Sequence, residues 1–348
     1  LGEIMFFSWY KKFSSQPHQP FFTSGILFLI LFMSLFVSVY SNFLVLDNSV
    51  LTYHAYTMVF VIFIQFFLGF LFVVFPRFLI QAEIQIQEYM KQFLLYFFAS
   101  LGIFLTLIFY SKVTFIFQIL MLIAQIMSFK LLYSIHKKSI VKVKEDTKWV
   151  LISLFSGLVF HSLFIISSLN FPYAYELSRF AIDGGFYLFL FMVIFVISQR
   201  MIPFFTTAKV PNYVANKSVN LLTIIFSLLA FKVILLSFDN AKLNLLADIP
   251  LFIMITRELI KWKLPFFKSP AIMWVLFLGL YWIPVAFFMS IIEGLMAFYN
   301  PSIIFEKAVI HTMALGYFLT VLIGFGTRVI LGHSGTTPHA NNFAIFIF

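Results

Sequence analysis

The sequence contains no cysteine, and charged side chains make up only 10% of its 348 residues. Without cysteine there can be no disulfide, no thiolate ligand and no c-type haem attachment motif, so a bound metal would depend on His, Met, Tyr or carboxylate side chains. Acidic residues are fewer than basic ones: the chain has 13 Asp and Glu against 23 Lys and Arg. Sequence motifs of serine hydrolases, P-loop proteins, dinucleotide-binding proteins and zincins are also absent.

Hydrophobic residues, in contrast, make up 62% of the chain, and its mean hydropathy is +1.02. Apolar runs of about 20 residues match the ~30 Å hydrocarbon core of a bilayer. We therefore predict an all-α, polytopic transmembrane bundle of ten spans, with an eleventh that begins near Asn342. The ten spans are expected near residues 21–40, 53–75, 93–110, 113–133, 149–169, 180–198, 219–238, 243–256, 270–292 and 304–326.

Lys and Arg are unevenly distributed among the connections between these spans. Counted from the N-terminus, seventeen lie in alternate connections and three in the others. Because positive residues favour the cytoplasmic side, this split predicts a cytoplasmic N-terminus. The net charge of +10 is thus interpreted as a topology signal. The expected partner is the lipid bilayer, and no nucleic acid is expected.

Three histidines lie on the outer side of the predicted spans. With a rise of ~1.5 Å per residue, His161 lies ~12 Å deep in span five and His311 ~10 Å deep in span ten, whereas His54 lies at the outer end of span two. Three imidazoles at compatible depths suit a metal or haem held in a helical bundle, so these residues are the predicted metal ligands. The alternative is that each imidazole separately satisfies a neighbouring carbonyl group.

Other polar residues within or beside the spans are weaker signals. Arg200 and Arg328 end spans six and ten at the same predicted face, where they could bind an anionic group such as a haem propionate beside the turn that carries His333. Positive-inside topology alone also explains both arginines. Lys232, in span seven, could pair with Asp183 or Asp248, or its ammonium group could extend to the membrane surface.

Several stretches resemble one known family. Residues 311–335, HTMALGYFLTVLIGFGTRVILGHSG, resemble the signature of NnrS proteins, in which HA-x-T-x-G leads into TR-x-x-LGH-[ST]-G. In the same order along the chain, similar blocks are HQPFF, HAYTMVFVIFIQFFLGFLFVVFPRF, VFHS, QRMIPFFT and SPAIMWVLFLGLYW. The sequence departs from the family pattern at Tyr56, Thr57 and Phe277, which replace a His, a Glu and a His. No ligand role is transferred to those three positions.

The resemblance implies a multi-pass protein of about twelve spans that contains haem and copper and is linked to bacterial resistance to nitric oxide. It implies haem b as the first cofactor and copper as a second, nitric oxide as a small gaseous ligand, and the bacterial cytoplasmic (inner) membrane as the location. Nitrosative stress and denitrification are the expected settings. We expect one membrane-embedded domain over residues 1–348, truncated at its C-terminus. Whether the protein is an enzyme stays open, as does its electron donor.

Two other functions remain compatible with the sequence. The first is a transporter or channel for a small solute or metal, in which polar stripes would line a path, although no convincing inverted repeat is visible. The second is a membrane scaffold without a redox centre. An absorption spectrum separates these hypotheses, because a haem-containing protein shows a Soret band.

Overall fold

The structure is a computed structural model that describes residues 2–46, 49–169, 171–300, 302, 304–305 and 307–333. Every regular element in these ranges is helical. A helix satisfies its backbone hydrogen bonds internally, as a chain in lipid must, because the hydrocarbon core offers no water as an alternative partner. The predicted all-α, polytopic fold class is confirmed.

The described ranges contain eleven helices of twelve or more residues, numbered here in chain order. Eight of them are long and apolar enough to cross a membrane. Helix α1 is short, α8 is apolar but shorter than the eight, and α9 is long but carries several charged residues. The helices are α1 Gly2–Phe13, α2 His18–Tyr40, α3 Val50–Phe78, α4 Ile86–Phe109, α5 Ser111–Lys138, α6 Glu145–Ser167, α7 Ala174–Thr207, α8 Leu221–Leu236, α9 Ala241–Trp262, α10 Ala271–Met296 and α11 Ala308–Gly332.

Each of the ten predicted spans coincides with one helix from α2 to α11. The largest difference in length is at α7, Ala174–Thr207, which extends beyond the predicted 180–198 at both ends. Helix α9 also extends well beyond the predicted 243–256, because charged residues such as Lys242 and Arg257 end its apolar run without ending the helix. Helix α11 begins four residues later than predicted, at Ala308. The predicted eleventh span lies outside the described residues.

The chain divides into two compact units, Leu1–Leu190 and Phe191–Phe348, and the border falls within α7. The single domain expected from the sequence stays a prediction. In the first unit, α3 is the most deeply buried helix: nearly every side chain from Tyr56 to Pro76 is inaccessible. A Cβ atom at Gly69 of α3 would lie 2.9 Å from the Cβ atom of Phe21 in α2, so only glycine permits this approach of the two helices.

Gln65 is the polar centre of the first unit. Its side chain is fully buried, its Oε1 accepts a 2.5 Å hydrogen bond from Ser24, and its Nε2 donates to Ser100 (3.1 Å) and to the carbonyl of Val61 (2.8 Å). The sequence places Gln65 on one face of its helix with His54 and Met58, and such a polar stripe is expected to face the protein interior or a cavity rather than lipid. The structure confirms this expectation for Gln65.

In the second unit, the connection between α7 and α8 is attached to the end of α9. The Tyr213 hydroxyl donates to the carbonyl of Trp262 (2.7 Å), and Glu258 Oε1 accepts from the Ser218 amide (2.8 Å) and the Trp262 indole (2.9 Å). Burial raises the pKa of Tyr213 to about 12, so its hydroxyl stays a neutral donor at physiological pH.

Three helices contain a π-helical segment. These segments are Thr57–Ile62 in α3, Gly185–Phe191 in α7 and Thr312–Leu319 in α11. The first and third coincide with the HAYTM and HTMALG blocks. Because π-helical turns occur frequently at functional sites, they direct attention to the residues around them.

The predicted orientation is testable by single-cysteine labelling, since the native chain has no cysteine. Lys142 is exposed between α5 and α6, and Lys112 is exposed at the start of α5. With a cytoplasmic N-terminus, a membrane-impermeant thiol reagent added to intact cells should label Lys112→Cys and leave Lys142→Cys unlabelled. Labelling of Lys142→Cys from outside would show that the N-terminus lies outside the cytoplasm and that the predicted orientation is wrong.

Candidate functional site

His161 lies fully buried in α6, and both of its ring nitrogens have hydrogen-bonding neighbours. Nε2 is 3.0 Å from the Tyr56 hydroxyl of α3, and Nδ1 is 2.8 Å from Oε1 of Gln125 in α5. Three helices thus contribute to one polar cluster, which we call the His161 cluster: Tyr56, Gln125 and His161. A buried polar group without a partner would be costly, and here each has one.

The hydrogen-bonding pattern determines which nitrogen of His161 carries the proton. Gln125 Nε2 donates to the carbonyl of Phe60 (2.9 Å), which can only accept, so the amide oxygen of Gln125 must face the imidazole. An amide oxygen also only accepts, so Nδ1 of His161 carries the proton. Nε2 is therefore the nitrogen with a lone pair, and it accepts the hydrogen bond from the Tyr56 hydroxyl.

Aromatic rings enclose this cluster. Phe60 stacks on the imidazole of His161, with ring centroids 4.8 Å apart and planes at 13°, and Phe164 stacks on Tyr56 at 4.5 Å. A Cβ atom at Gly185 would lie 2.5 Å from Cζ of Phe60, so the π-helical segments of α3 and α7 approach each other beside His161. The enclosure excludes water and strengthens the hydrogen bonds inside it.

His54 lies on another side of α3. Residues two apart on a helix point roughly 200° from each other, so His54 and Tyr56 face different neighbours. The ring of His54 packs against Phe36 of α2 at 4.4 Å, whereas Tyr56 contacts His161. The structure thus places Tyr56 beside His161 in the first unit. A ligand role for His54 stays a prediction.

His311 lies in the first turn of α11, because the helix begins at Ala308. It is therefore nearer the helix end than its predicted depth of ~10 Å, and its side chain is exposed. Its Nδ1 is 2.8 Å from the carbonyl of Lys307, which can only accept, so Nδ1 carries the proton and Nε2 the lone pair. His311 and His161 hence have the same tautomer, each with its N–H directed at a carbonyl oxygen.

The ends of α7 and α11 meet at Phe205. The guanidinium carbon of Arg328 lies 4.0 Å from the ring centroid of Phe205, and its Nη1 lies 3.3 Å from Sδ of Met273. Arg200 is five residues before Phe205 in α7. The helix ends that carry the two arginines are therefore neighbours, and direct proximity of the two guanidinium groups stays a prediction. The side chain of His333 lies outside the described residues.

A second buried tyrosine belongs to the π-helical segment of α11. The Tyr317 hydroxyl donates to Ser198 Oγ in α7 at 3.1 Å, and both side chains are fully buried. Tyr317 and Tyr56 each follow a signature histidine on the same helix, but only Tyr56 has an imidazole as its acceptor.

In the part of the chain that the structure describes, no group of three or more His, Asp or Glu side chains is placed to hold a metal ion. His54 and His161 belong to the first unit and His311 to the second, so their predicted convergence stays a prediction. Haem iron takes at most two ligands from the protein, so a group of three side chains is not required. What matters for haem binding is which ring nitrogen of each histidine is unprotonated.

Sequence reasoning missed two members of the His161 cluster. Tyr56 was noted only as a departure from the family pattern, and Gln125 was not singled out. A signal was present in α5: Gln118, Gln125 and Ser128 are spaced by seven and three residues, which places three polar side chains on one face of an apolar helix. All three are buried.

Long apolar helices and imidazoles held by carbonyl acceptors define a multi-pass helical membrane protein with candidate metal-ligand histidines. Residues 12–348 match the family described as NnrS protein, and none of the curated proteins matches the chain. The chain therefore belongs to the NnrS family. Membership supports, in broad terms, a membrane protein related to nitric oxide.

Proposed function

We propose that this protein binds haem and handles nitric oxide in the bacterial cytoplasmic membrane, in binding, detoxification or resistance. His161 and His311 are the proposed iron ligands. The observation that carries the proposal is the tautomer of these two histidines: in each, Nδ1–H donates to a carbonyl oxygen and Nε2 keeps its lone pair. Metal-ligating histidines almost always donate their other ring N–H in this way.

The residues present fit such a group at the level of donor chemistry. With no cysteine in the chain, neutral imidazole is the strongest available ligand for haem iron. At His161, the Tyr56 hydroxyl is hydrogen-bonded to Nε2, the proposed ligand nitrogen. For Nε2 to bind iron, the Tyr56 side chain would have to rotate away or lie beside the iron. When bound, haem would supply the iron centre at which nitric oxide is handled.

The remaining predicted site residues have supporting roles in this proposal. Arg200 and Arg328, with His333 beside them, would bind the propionates, because guanidinium groups form bidentate hydrogen bonds with carboxylates. Copper is proposed as a second cofactor, with His54 as its candidate side chain. Phe60 and Phe164 would keep water out of the pocket.

The test is the absorption spectrum of the purified protein after expression with haem supplied. Wild type should show a Soret band. His161→Ala or His311→Ala should abolish it because each removes a proposed iron ligand, whereas His54→Ala should leave part of it. His136→Ala is the matched control and should leave the band unchanged. His136 lies in the last turn of α5 and is hydrogen-bonded to Thr147.

Folding of each variant is checked by size-exclusion chromatography, so that loss of haem is not confused with loss of the protein. Full haem retention in both His161→Ala and His311→Ala would remove these two residues as ligands. A wild-type protein that takes up no haem would overturn the proposal itself.

A further inference from the structure

We propose that Gln125 is a positioning residue that holds His161 in a single tautomer, with Nδ1 protonated and Nε2 as the acceptor. Gln125 does this through the carbonyl of Phe60, which fixes the orientation of its amide. The role of Nε2 as a metal ligand rests on the proposed function, but the tautomer does not.

The orientation of the Gln125 amide is fixed by a backbone carbonyl of α3. Gln125 could bind His161 in two orientations, with its oxygen toward Nδ1 or with its amino group toward Nδ1. The 2.9 Å hydrogen bond from Gln125 Nε2 to the carbonyl of Phe60 permits only the first. The reverse orientation would place two acceptors against each other in a fully buried site, where unsatisfied polar groups are costly.

The carbonyl that fixes Gln125 belongs to a π-helical segment. Phe60 lies within the π-helical segment Thr57–Ile62, where the amide of Phe63 donates to the carbonyl of Met58, five residues earlier. The same residue contributes its ring, which stacks on the imidazole. Phe60 thus restrains His161 directly through its side chain and indirectly through its carbonyl and Gln125.

Tyr56 cannot select the tautomer of His161. A hydroxyl group can donate to a bare nitrogen or accept from an N–H group, so the 3.0 Å contact with Nε2 suits either state. Of the two neighbours of His161, only Gln125 has its direction fixed. Substituting Gln125 should therefore change the tautomer, and substituting Tyr56 should not.

The experiment is solid-state nuclear magnetic resonance of the full chain in lipid bilayers near pH 8, with 13C,15N-labelled histidine and no haem added. The chain has seven histidines, and the signals of His161 are assigned by their absence from His161→Gln. Correlation of each nitrogen with its bonded carbons distinguishes Nδ1 from Nε2. Wild type should show one His161 species, with Nδ1 protonated; a wild-type protein with Nε2 protonated would overturn the proposal.

Three variants complete the test. In Gln125→Leu, Nδ1–H loses its acceptor, so a species with protonated Nε2 should appear. In Tyr56→Phe, the Nε2 shift should move while Nδ1 stays protonated. In the matched control Gln118→Leu, the same exchange is made at a fully buried residue ~10 Å nearer the start of α5, and the His161 signals should not change. An unchanged tautomer in Gln125→Leu, or a reversed one in Tyr56→Phe, would contradict the positioning role.

The haem measurement separates this inference from the proposed function. If haem binds, Gln125→Leu should lower its affinity about 10–100-fold, the usual effect of removing a hydrogen-bond partner of a ligand histidine. A single Nδ1–H tautomer in a protein that takes up no haem would support the role of Gln125 and refute the proposed function. A Soret band in a wild-type protein whose His161 exchanges between tautomers would support the proposed function and refute the role of Gln125.

Discussion

Replacing Lys232 with methionine should lower the free energy of unfolding by about 3–5 kcal/mol, the usual effect of removing one member of a buried ion pair. Lys232 Nζ in α8 lies 2.5 Å from Oδ1 of Asp248 in α9, and both side chains are at most 1% exposed. The other carboxylate oxygen, Oδ2, accepts a 2.6 Å hydrogen bond from Ser290 in α10. Three helices of the second unit are joined at this point.

The large effect arises from the charge that remains. Without Lys232, the carboxylate of Asp248 keeps only the Ser290 hydroxyl in a low-dielectric environment, and an unpaired charge at membrane depth is expensive. The double variant Lys232→Met/Asp248→Leu removes both charges, so it should recover most of the lost stability. That pattern distinguishes an ion pair from simple packing, since two packing losses would add.

Stability is measured by titration with sodium dodecyl sulfate in mixed micelles, followed by helical circular dichroism. Lys242→Met is the matched control, because the Lys242 ammonium lies over the face of the Phe298 ring, 4.9 Å from its centroid, and its loss should cost about 1 kcal/mol or less. A double variant that is less stable than either single variant would contradict the ion-pair account.

The helices were predictable because two independent signals agree on them. Apolar runs of the right length identify the spans, and alternation of Lys and Arg supports their number. Errors are confined to the ends: at α9, the run ends at charged residues, although residues such as Glu258 and Lys261 continue the helix and bind neighbouring groups. Hydropathy reports the contact with lipid, and backbone hydrogen bonding determines where a helix stops.

The site was only partly predictable, for a reason of distance along the chain. His161 was identifiable as a polar residue in an apolar helix, but its partners Gln125 and Tyr56 are 36 and 105 residues away. No local pattern states which helices become neighbours. The same holds for Lys232, whose two candidate partners were equivalent in sequence, and which pairs with Asp248 in the structure. The π-helical segments had no sequence signal that we recognise.

Substituting Gly294 of α10 with valine should lower the free energy of unfolding by about 1–3 kcal/mol, the usual range for overpacking. A Cβ atom at this position would lie 2.7 Å from Cδ2 of Leu245 and 2.9 Å from the carbonyl oxygen of Ala241, both in α9. Leu245 is buried and the second contact is with backbone, so relief requires α9 to move away from α10. Helix propensity acts in the opposite direction, since valine is favoured over glycine by a few tenths of a kcal/mol.

The sign of the change therefore decides whether the two helices are in close contact. Gly332→Val is the matched control, because no atom of the described residues lies within 4 Å of a Cβ atom there, and it should be neutral or slightly stabilising. Ser290 lies one turn before Gly294 and bonds Asp248 of α9, so separating the helices should also lengthen that 2.6 Å hydrogen bond. Gly294→Val should accordingly cost less stability in a Ser290→Ala background than in wild type. Equal losses in the two backgrounds would show that the clash relaxes without moving α9, and a gain in stability would refute the close contact itself.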